Sequence, residues 1–341
     1  MAYAKEMLIS LMRPPRQHEK LPRSFYNWRR MPTALIYDDI YQAHQTGQHP
    51  ENGDRLRVIL SALKDDQELW DKLQHVSPRA ASDEDLLRCH EQQMVEHIRS
   101  LCHREVRFLD LDTVICPKSN EVARQAAGAA CSAVDLLFNG QSQNAFAFVR
   151  PPGHHATYSQ AMGFCLFNNA AVGARYAQAK YGVERVLIID WDVHHGNGTQ
   201  DIFYSDPSVF YFSTHQYPYY PGTGSTGERG SGKGEGMNLN VPLLQGTSAR
   251  SHREAFSDAL AEIEKSFPPD LVIISAGFDS RRGDPLGGLM LEDDDFAEMT
   301  KEVKSLAEKH AGGRIVSILE GGYNLATLGH TVKTHVVALS S

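Results

Sequence analysis

Four short runs of the chain are apolar almost without interruption: "AFAFV" at 145–149, "VLIID" at 186–190, "LVIIS" at 271–275 and "RIVSIL" at 314–319. A strand with one wet face alternates apolar and polar positions, so continuous hydrophobicity over such lengths predicts strands covered on both faces. "PTALIYDDI", directly after Met31, reads as a further strand. Helix-like stretches lie between and beside them, among them 168–180, 251–267 and 293–311. Strands alternating with helices predict a parallel, doubly wound α/β sheet. No linker, repeat or low-complexity tract divides residues 31–341, which read as one domain.

Each of the four apolar runs leads into a polar segment with glycine: "RPPGHH", "WDVHHGNG", "AGFDSRRGD" and "EGGYN". In open α/β sheets the ligand site lies beyond the carboxyl ends of the strands, so these segments should converge there. Two of them carry adjacent histidines, His154 with His155 and His194 with His195. A single histidine is most often a surface or satisfied core residue. Two doublets near carboxylates at strand ends instead point to chemistry.

Composition narrows the setting. The 341 residues are 41% hydrophobic and 22% charged, as in an ordinary globular protein. No apolar run approaches the roughly 18 residues that span a bilayer. Residues 1–30 hold seven Lys or Arg and two Glu, so the body keeps 27 of the 34 basic and 40 of the 42 acidic residues. So acidic a body argues against a nucleic-acid surface. The basic leader reads as a dispensable extension or as translation upstream of a start at Met31; an organellar targeting segment is the alternative. Five widely spaced cysteines without a C-x-x-C read as reduced thiols and place the protein in the cytoplasm.

Within "DWDVHH", Asp190, Asp192 and His194 are spaced by two, and strand periodicity would send all three side chains to one side. Asp192 and His194 can grip one divalent ion, and Asp279, just past its own strand, can add a third ligand. Two carboxylates and one imidazole would neutralise Zn²⁺ and leave a position open for water, the mark of a catalytic site. Two other patterns carry less. "GERGSGK" at 227–233 approaches a phosphate-binding loop, but Gly234 stands where Ser or Thr should be and no strand runs into it, so the tract reads as a mobile rim loop. "NGT" at Asn197 matches a glycosylation sequon that an intracellular protein would not use.

As a set, "HPENGDR" (49–55), "LDTVICPKS" (111–119), "RPPGHHA" (150–156), "GFCLFNNAAV" (163–172), "DWDVHHGNGTQDIF" (190–203), "AGFDSRRGDPLGG" (276–288) and "LEGGYN" (319–324) resemble the zinc-dependent histone deacetylase superfamily, which includes bacterial deacetylase-like amidohydrolases and acetylpolyamine amidohydrolases. The segments follow family order over nearly all of 31–341 and look more like class II than class I. The resemblance implies an arginase-like three-layer fold around a mostly parallel eight-stranded sheet, with a narrow tunnel to one catalytic Zn²⁺. It assigns Asp192, His194 and Asp279 as zinc ligands, His154 and His155 as tandem catalytic histidines, and Tyr323 as the catalytic tyrosine. Asp190 and Asn197 would orient the two histidines. Gly163, Phe164 and Tyr220 would line the tunnel, with Asp112 at the rim receiving substrate N–H groups and Leu286 at the mouth. A structural K⁺ would use Asp190, Ser213 and positions Asp192 and His194, and Arg55 would line an inner acetate channel.

The expected reaction is therefore hydrolysis of the acetamide of N-acetyl-lysine in a peptide or protein. Amide hydrolysis needs an activated water, a stabilised oxyanion and a proton for the departing amine, roles that zinc, Tyr323 and His155 would fill. Acetylpolyamines are the competing substrates, although polyamine-selective class II relatives carry a Glu in the motif where Leu286 stands. An inactive binding module is a third reading, weakened because no expected catalytic residue is replaced. A binuclear manganese hydrolase is disfavoured because the ligands suffice for one metal.

Overall fold

The computed structural model describes residues 31–341, so the expectation that residues 1–30 are dispensable lies outside the described residues. Eight strands form one sheet: β1 (Thr33–Ile36), β2 (Gln74–Val76), β3 (Asn144–Ala147), β4 (Val186–Asp190), β5 (Val209–Gln216), β6 (Asn238–Leu243), β7 (Leu271–Ala276) and β8 (Ile315–Leu319). Their order is 2-1-3-8-7-4-5-6 and every pairing is parallel. The four strands predicted from continuous hydrophobicity are β3, β8, β7 and β4, which are contiguous in the middle of the sheet. Every residue of these four is buried. Helices must therefore cover both faces.

Local chemistry sets where those helices begin and end. Asn168 caps Asn169–Tyr181 by accepting from the Ala171 N–H, and Gly182 ends it in the left-handed conformation (φ +67°). Ser248 caps Ala249–Ser266. Asp293–His310 opens on a capping box between Glu292 and Asp295, carries three aspartates in its first turn and ends on Lys309 and His310, complementing the helix dipole at both ends. Ser119–Phe138 packs on Asn169–Tyr181, while Leu325–Ser340 packs between Asp54–Lys64 and Asp293–His310. Truncating a fully buried β4 residue such as Ile188 to alanine would cost about 2–5 kcal/mol.

The strands not foreseen lie at or near the edges. β2 has three residues, and β6, at an edge, alternates polar and apolar and contains Pro242, which an edge tolerates. β5 starts apolar and turns polar from Ser213 onward, yet all eight of its residues are buried because their polar atoms find partners.

Candidate active site

The segments after β3, β4, β7 and β8 converge at the carboxyl edge of the sheet, because their strands are neighbours. β4 ends at Asp190, so Asp192 and His194 lie in the following turn and strand periodicity does not align them. Two local hydrogen bonds fold the turn instead: Asp190 Oδ1 accepts from the Asp192 N–H (3.2 Å) and Asp192 Oδ1 from the His194 N–H (2.9 Å). Asp279 is reached from β7 and is fixed through Oδ1, which accepts from the Val193 N–H (2.8 Å).

Asp192, His194 and Asp279 each offer a ligand atom within 4.8 Å of the other two, and all three residues are buried. His194 Nδ1 faces Asp192 Oδ1 at 3.0 Å and Asp279 Oδ2 at 3.3 Å. The second contact falls within ion-pair distance, yet Asp279 Oδ2 has no well-aligned hydrogen bond and is buried. Burial, then the neighbouring Asp192, pushes the Asp279 carboxyl up to about 7. An orphaned oxygen among two adjacent carboxylates and one imidazole fits a divalent cation, and this donor set suits zinc. Backbone closes the niche from behind: Gly321 donates its N–H to Asp192 Oδ2 (2.8 Å), and a Cβ there would lie 2.1 Å from Asp279 Oδ2. A Cβ on Gly277 would lie 2.2 Å from Asp192 Oδ2. Gly321 and Gly277 therefore serve close approach to the carboxylates.

The two histidines after β3 stand side by side, ring centroids 4.0 Å apart, with different partners. His154 Nδ1 lies 3.0 Å from Asp190 Oδ2, which also accepts from the Tyr211 hydroxyl (3.1 Å). Burial opposes charge on this ring, but Asp190 and then Asp192 outweigh it and raise its pKa to about 10. A cation on Asp192 would offset that residue's share and leave Asp190 as the supporting charge. His155 Nδ1 lies 2.8 Å from Asn197 Oδ1 and must donate to it, leaving Nε2 as a free base. Burial, then His154 and His194, holds its pKa well below the ordinary value, so the ring is neutral.

Tyr323 is buried, its backbone N–H held by Asp284 Oδ2 (2.7 Å) and its ring covered by the Arg55 guanidinium at 4.8 Å. Burial raises the phenol well above its usual pKa, which keeps the hydroxyl protonated as a donor. Arg55 is itself fully buried and bonded to the carbonyls of Gly322 (2.7 Å) and Glu320 (2.5 Å).

Aromatic rings surround this group. Phe164 meets Tyr323 edge-on at 5.9 Å and adopts φ +69°, rare for a bulky residue, with its N–H held by Thr113 Oγ1 (3.2 Å). Gly163 leaves room for the His155 ring, which a Cβ would approach to 2.5 Å. Tyr220 stands edge-on to His155 at 5.1 Å, and Tyr219 stacks on His194 at 5.5 Å. The Tyr219 hydroxyl donates to the Leu286 carbonyl (3.3 Å), which brings Leu286 to the same side. Asp112 is half-buried beside Thr113, and its carboxyl is raised by burial and then by Asp110. Ser213 Oγ is buried 2.8 Å from His215 Nδ1 on β5, next to Asp190 across the strand pair.

Sequence reasoning missed several participants. Glu320 is buried and accepts from the N–H groups of Gly153 (2.6 Å) and His154 (3.1 Å) and from the Ser275 hydroxyl (3.1 Å), bracing the turn that carries both histidines. The signal available was an acid closing an otherwise apolar strand. Glu51 pairs with Arg150 at 2.5 and 2.8 Å, both fully buried. The glycine tract 221–236 is tied down rather than loose: Gly224 and Gly234 are buried, and Glu228 bonds to Gly224, Ser225 and Gln200.

Fold and site together define an enzyme of the parallel-sheet α/β class with a buried Asp-His-Asp group at the strand ends that could hold a metal. The histone deacetylase domain model matches residues 49–339. The chain is 40% identical over 316 residues to a histone deacetylase-like amidohydrolase of Pseudomonas aeruginosa, with 86% of this chain and 82% of that protein covered. It is 38% identical over 297 residues to a probable deacetylase of Archaeoglobus fulgidus, with the same coverage. The crystal structure of the HDA15 HD domain superposes with a TM-score of 0.86 at 39% identity, covering 91% of this chain and 88% of that one. The chain belongs to the histone deacetylase family and is a hydrolase acting on amides.

Proposed function

We propose that this deacetylase removes the acetyl group from N-acetyl-lysine in peptides or proteins, with one zinc ion held by Asp192, His194 and Asp279. The observation that carries this reading is the orphaned Asp279 oxygen in a niche next to a neutral His155 and a protonated Tyr323. Zinc, when bound, supplies Lewis acidity that lowers the pKa of water towards about 7 and polarises the acetyl carbonyl. His155, its Nδ1–H fixed by Asn197, takes the proton of the attacking water on Nε2 and later returns it to the departing lysine nitrogen. His154, paired with Asp190, contributes positive charge beside the developing oxyanion. Tyr323 donates its hydroxyl to that oxygen. Phe164 and Tyr220 sandwich the uncharged stem of acetyl-lysine, Asp112 receives N–H groups of the substrate backbone, and Arg55 lines the way out for acetate. We also assign a structural potassium ion to Asp190, Ser213 and the backbone around Asp192 and His194. A cytoplasmic setting is supported by five cysteines that are all unpaired.

Acetylpolyamines are the competing substrates. They carry a further ammonium, and Leu286 at the mouth gives it no partner. Purified enzyme assayed side by side should show higher kcat/KM for an acetyl-lysine peptide than for acetylspermidine. Leu286→Glu should shift that ratio towards the polyamine by about 1–3 kcal/mol, the scale of a charge-assisted hydrogen bond. A strong polyamine preference in the parent, or an unchanged ratio in the variant, would place selectivity elsewhere. Metal analysis should find one zinc per chain; two stoichiometric manganese ions would overturn the ligand assignment.

A further inference from the structure

The wall formed by Tyr219 and Tyr220 belongs to a segment that leaves β5 at Gln216 and has no secondary structure of its own before Gly224. Tyr219 stacks on the candidate ligand His194 and Tyr220 stands edge-on to His155, so the placement of this segment sets the width of the space above both rings. Its near end continues a strand. Its far end depends on side chains.

Three polar groups hold that far end. Thr223 Oγ1 lies 2.8 Å from His195 Nδ1, and the Gly224 carbonyl accepts from His215 Nε2 (2.9 Å). The Glu228 carboxylate takes the remaining amides, from Gly224 (3.0 Å to each oxygen) and Ser225 (2.9 Å). Gly224 is buried against His195 and His215 so closely that a Cβ would lie 2.3 Å from His215 Nε2. Glu228 is anchored in turn by the Gln200 side-chain amide at 2.6 Å. The Gln200 oxygen accepts from Asn238 (2.9 Å) and Asn240 (2.8 Å) on β6 and from His195 Nε2 (3.1 Å). A chain of hydrogen bonds thus runs from the edge strand through Gln200 and Glu228 to the aromatic wall. Glu228 is its single charged link.

We propose that Glu228 is a positioning residue for substrate binding: by clamping the Gly224–Ser225 backbone it keeps Tyr219 and Tyr220 against His194 and His155, and so sets how tightly the substrate stem is held. The proposal rests on the acetyl-lysine reading for its substrate. It concerns a carboxylate that touches neither the metal niche nor the tandem histidines. Loosening the clamp should weaken binding of ground and transition states alike, which raises KM more than it lowers kcat.

Steady-state kinetics on an acetyl-lysine peptide test this. Glu228→Ala should raise KM about tenfold, the scale of one lost charge-assisted contact, with kcat within about twofold and zinc content unchanged. Glu228→Gln keeps an oxygen for the two backbone amides and should recover most of the loss. An unchanged KM in soluble Glu228→Ala overturns the proposal. So does a kcat that falls with zinc at constant KM, which would make Glu228 a brace of the metal-binding turn. Should Glu228→Ala fail to fold, Glu228→Asp decides: one methylene shorter, it cannot span Gln200 and both amides, and a parental KM there refutes the clamp. A parent enzyme inert towards acetyl-lysine would instead defeat the functional reading, and the same KM comparison would then be made on acetylspermidine.

Discussion

The two sides of the site differ in how they treat charge. On the side of β4, His154 leans on the carboxylate of Asp190, with Asp192 beyond it, and its pKa is raised to about 10. One residue along the chain, His155 leans on the amide oxygen of Asn197, faces the Tyr220 ring, and is held well below its ordinary value. Both rings are buried, so desolvation acts on both and the partner decides the outcome. Adjacent copies of one residue type thus acquire opposite protonation, as the proposed division between electrostatic support and proton transfer requires.

The harshest test strips the charged side of its candidate metal ligand. Asp192→Ala should lose zinc, measured by elemental analysis, and activity with it, because too few groups then remain to close the coordination shell. Retained zinc and turnover would show that Asp192 is no ligand. Next comes Tyr323→Phe, which removes a donor and leaves the niche intact; kcat should fall about 10²- to 10³-fold with zinc retained, and parental turnover would exclude Tyr323 from oxyanion stabilisation.

A subtler change makes the two sides alike. Asn197→Asp gives His155 a carboxylate partner and should raise its pKa. A base must be neutral to act, so the acidic limb of kcat/KM should move to higher pH, by about one unit. An unmoved limb would show that His155 is not the base seen in the profile. The last test leaves the site and concerns histidines with no carboxylate strong enough to offset burial. His44, His90 and His215 are each lowered to about 4 by desolvation. The unfolded chain protonates them near 6.5 and the folded chain resists until about 4. Their contribution to stability is therefore complete above pH 6.5 and is lost as pH falls towards 4, at up to about 1.4 kcal/mol per pH unit for each. Chemical denaturation should show this acid slope, and His252 and His335, lowered to about 3, should extend it.

Legibility followed burial. β3, β4, β7 and β8 were visible because strands covered on both faces must be apolar throughout, and the polar segments after them marked the site. The edges were not: β6 is polar at alternate positions and β2 is too short to show a period. Within the site, Asp192, His194 and Asp279 were readable as a ligand set, but the reason offered for the first two was wrong, since β4 has already ended before them. Glu320 and Glu228 escaped because their work is done on backbone N–H groups, which every residue carries and no motif displays. The tract around Glu228 has a glycine-rich composition that reads as slack, whereas one of its glycines, Gly224, admits His195 and His215 at close range.

The backbone wall behind the metal niche has a consequence for anyone who would re-engineer this enzyme. Because Gly277 and Gly321 face Asp192 and Asp279 with no room for even one carbon, that half of the cavity offers no side chain to diversify. Altering metal preference there would require a different chain path. The opposite half is built from replaceable rings and from Leu286. A mutational library should therefore find its tolerant positions clustered on the side of the rings and Leu286 and almost none behind Asp192 and Asp279, so that the proposed metal site and the proposed substrate wall would be separately inheritable parts of one pocket.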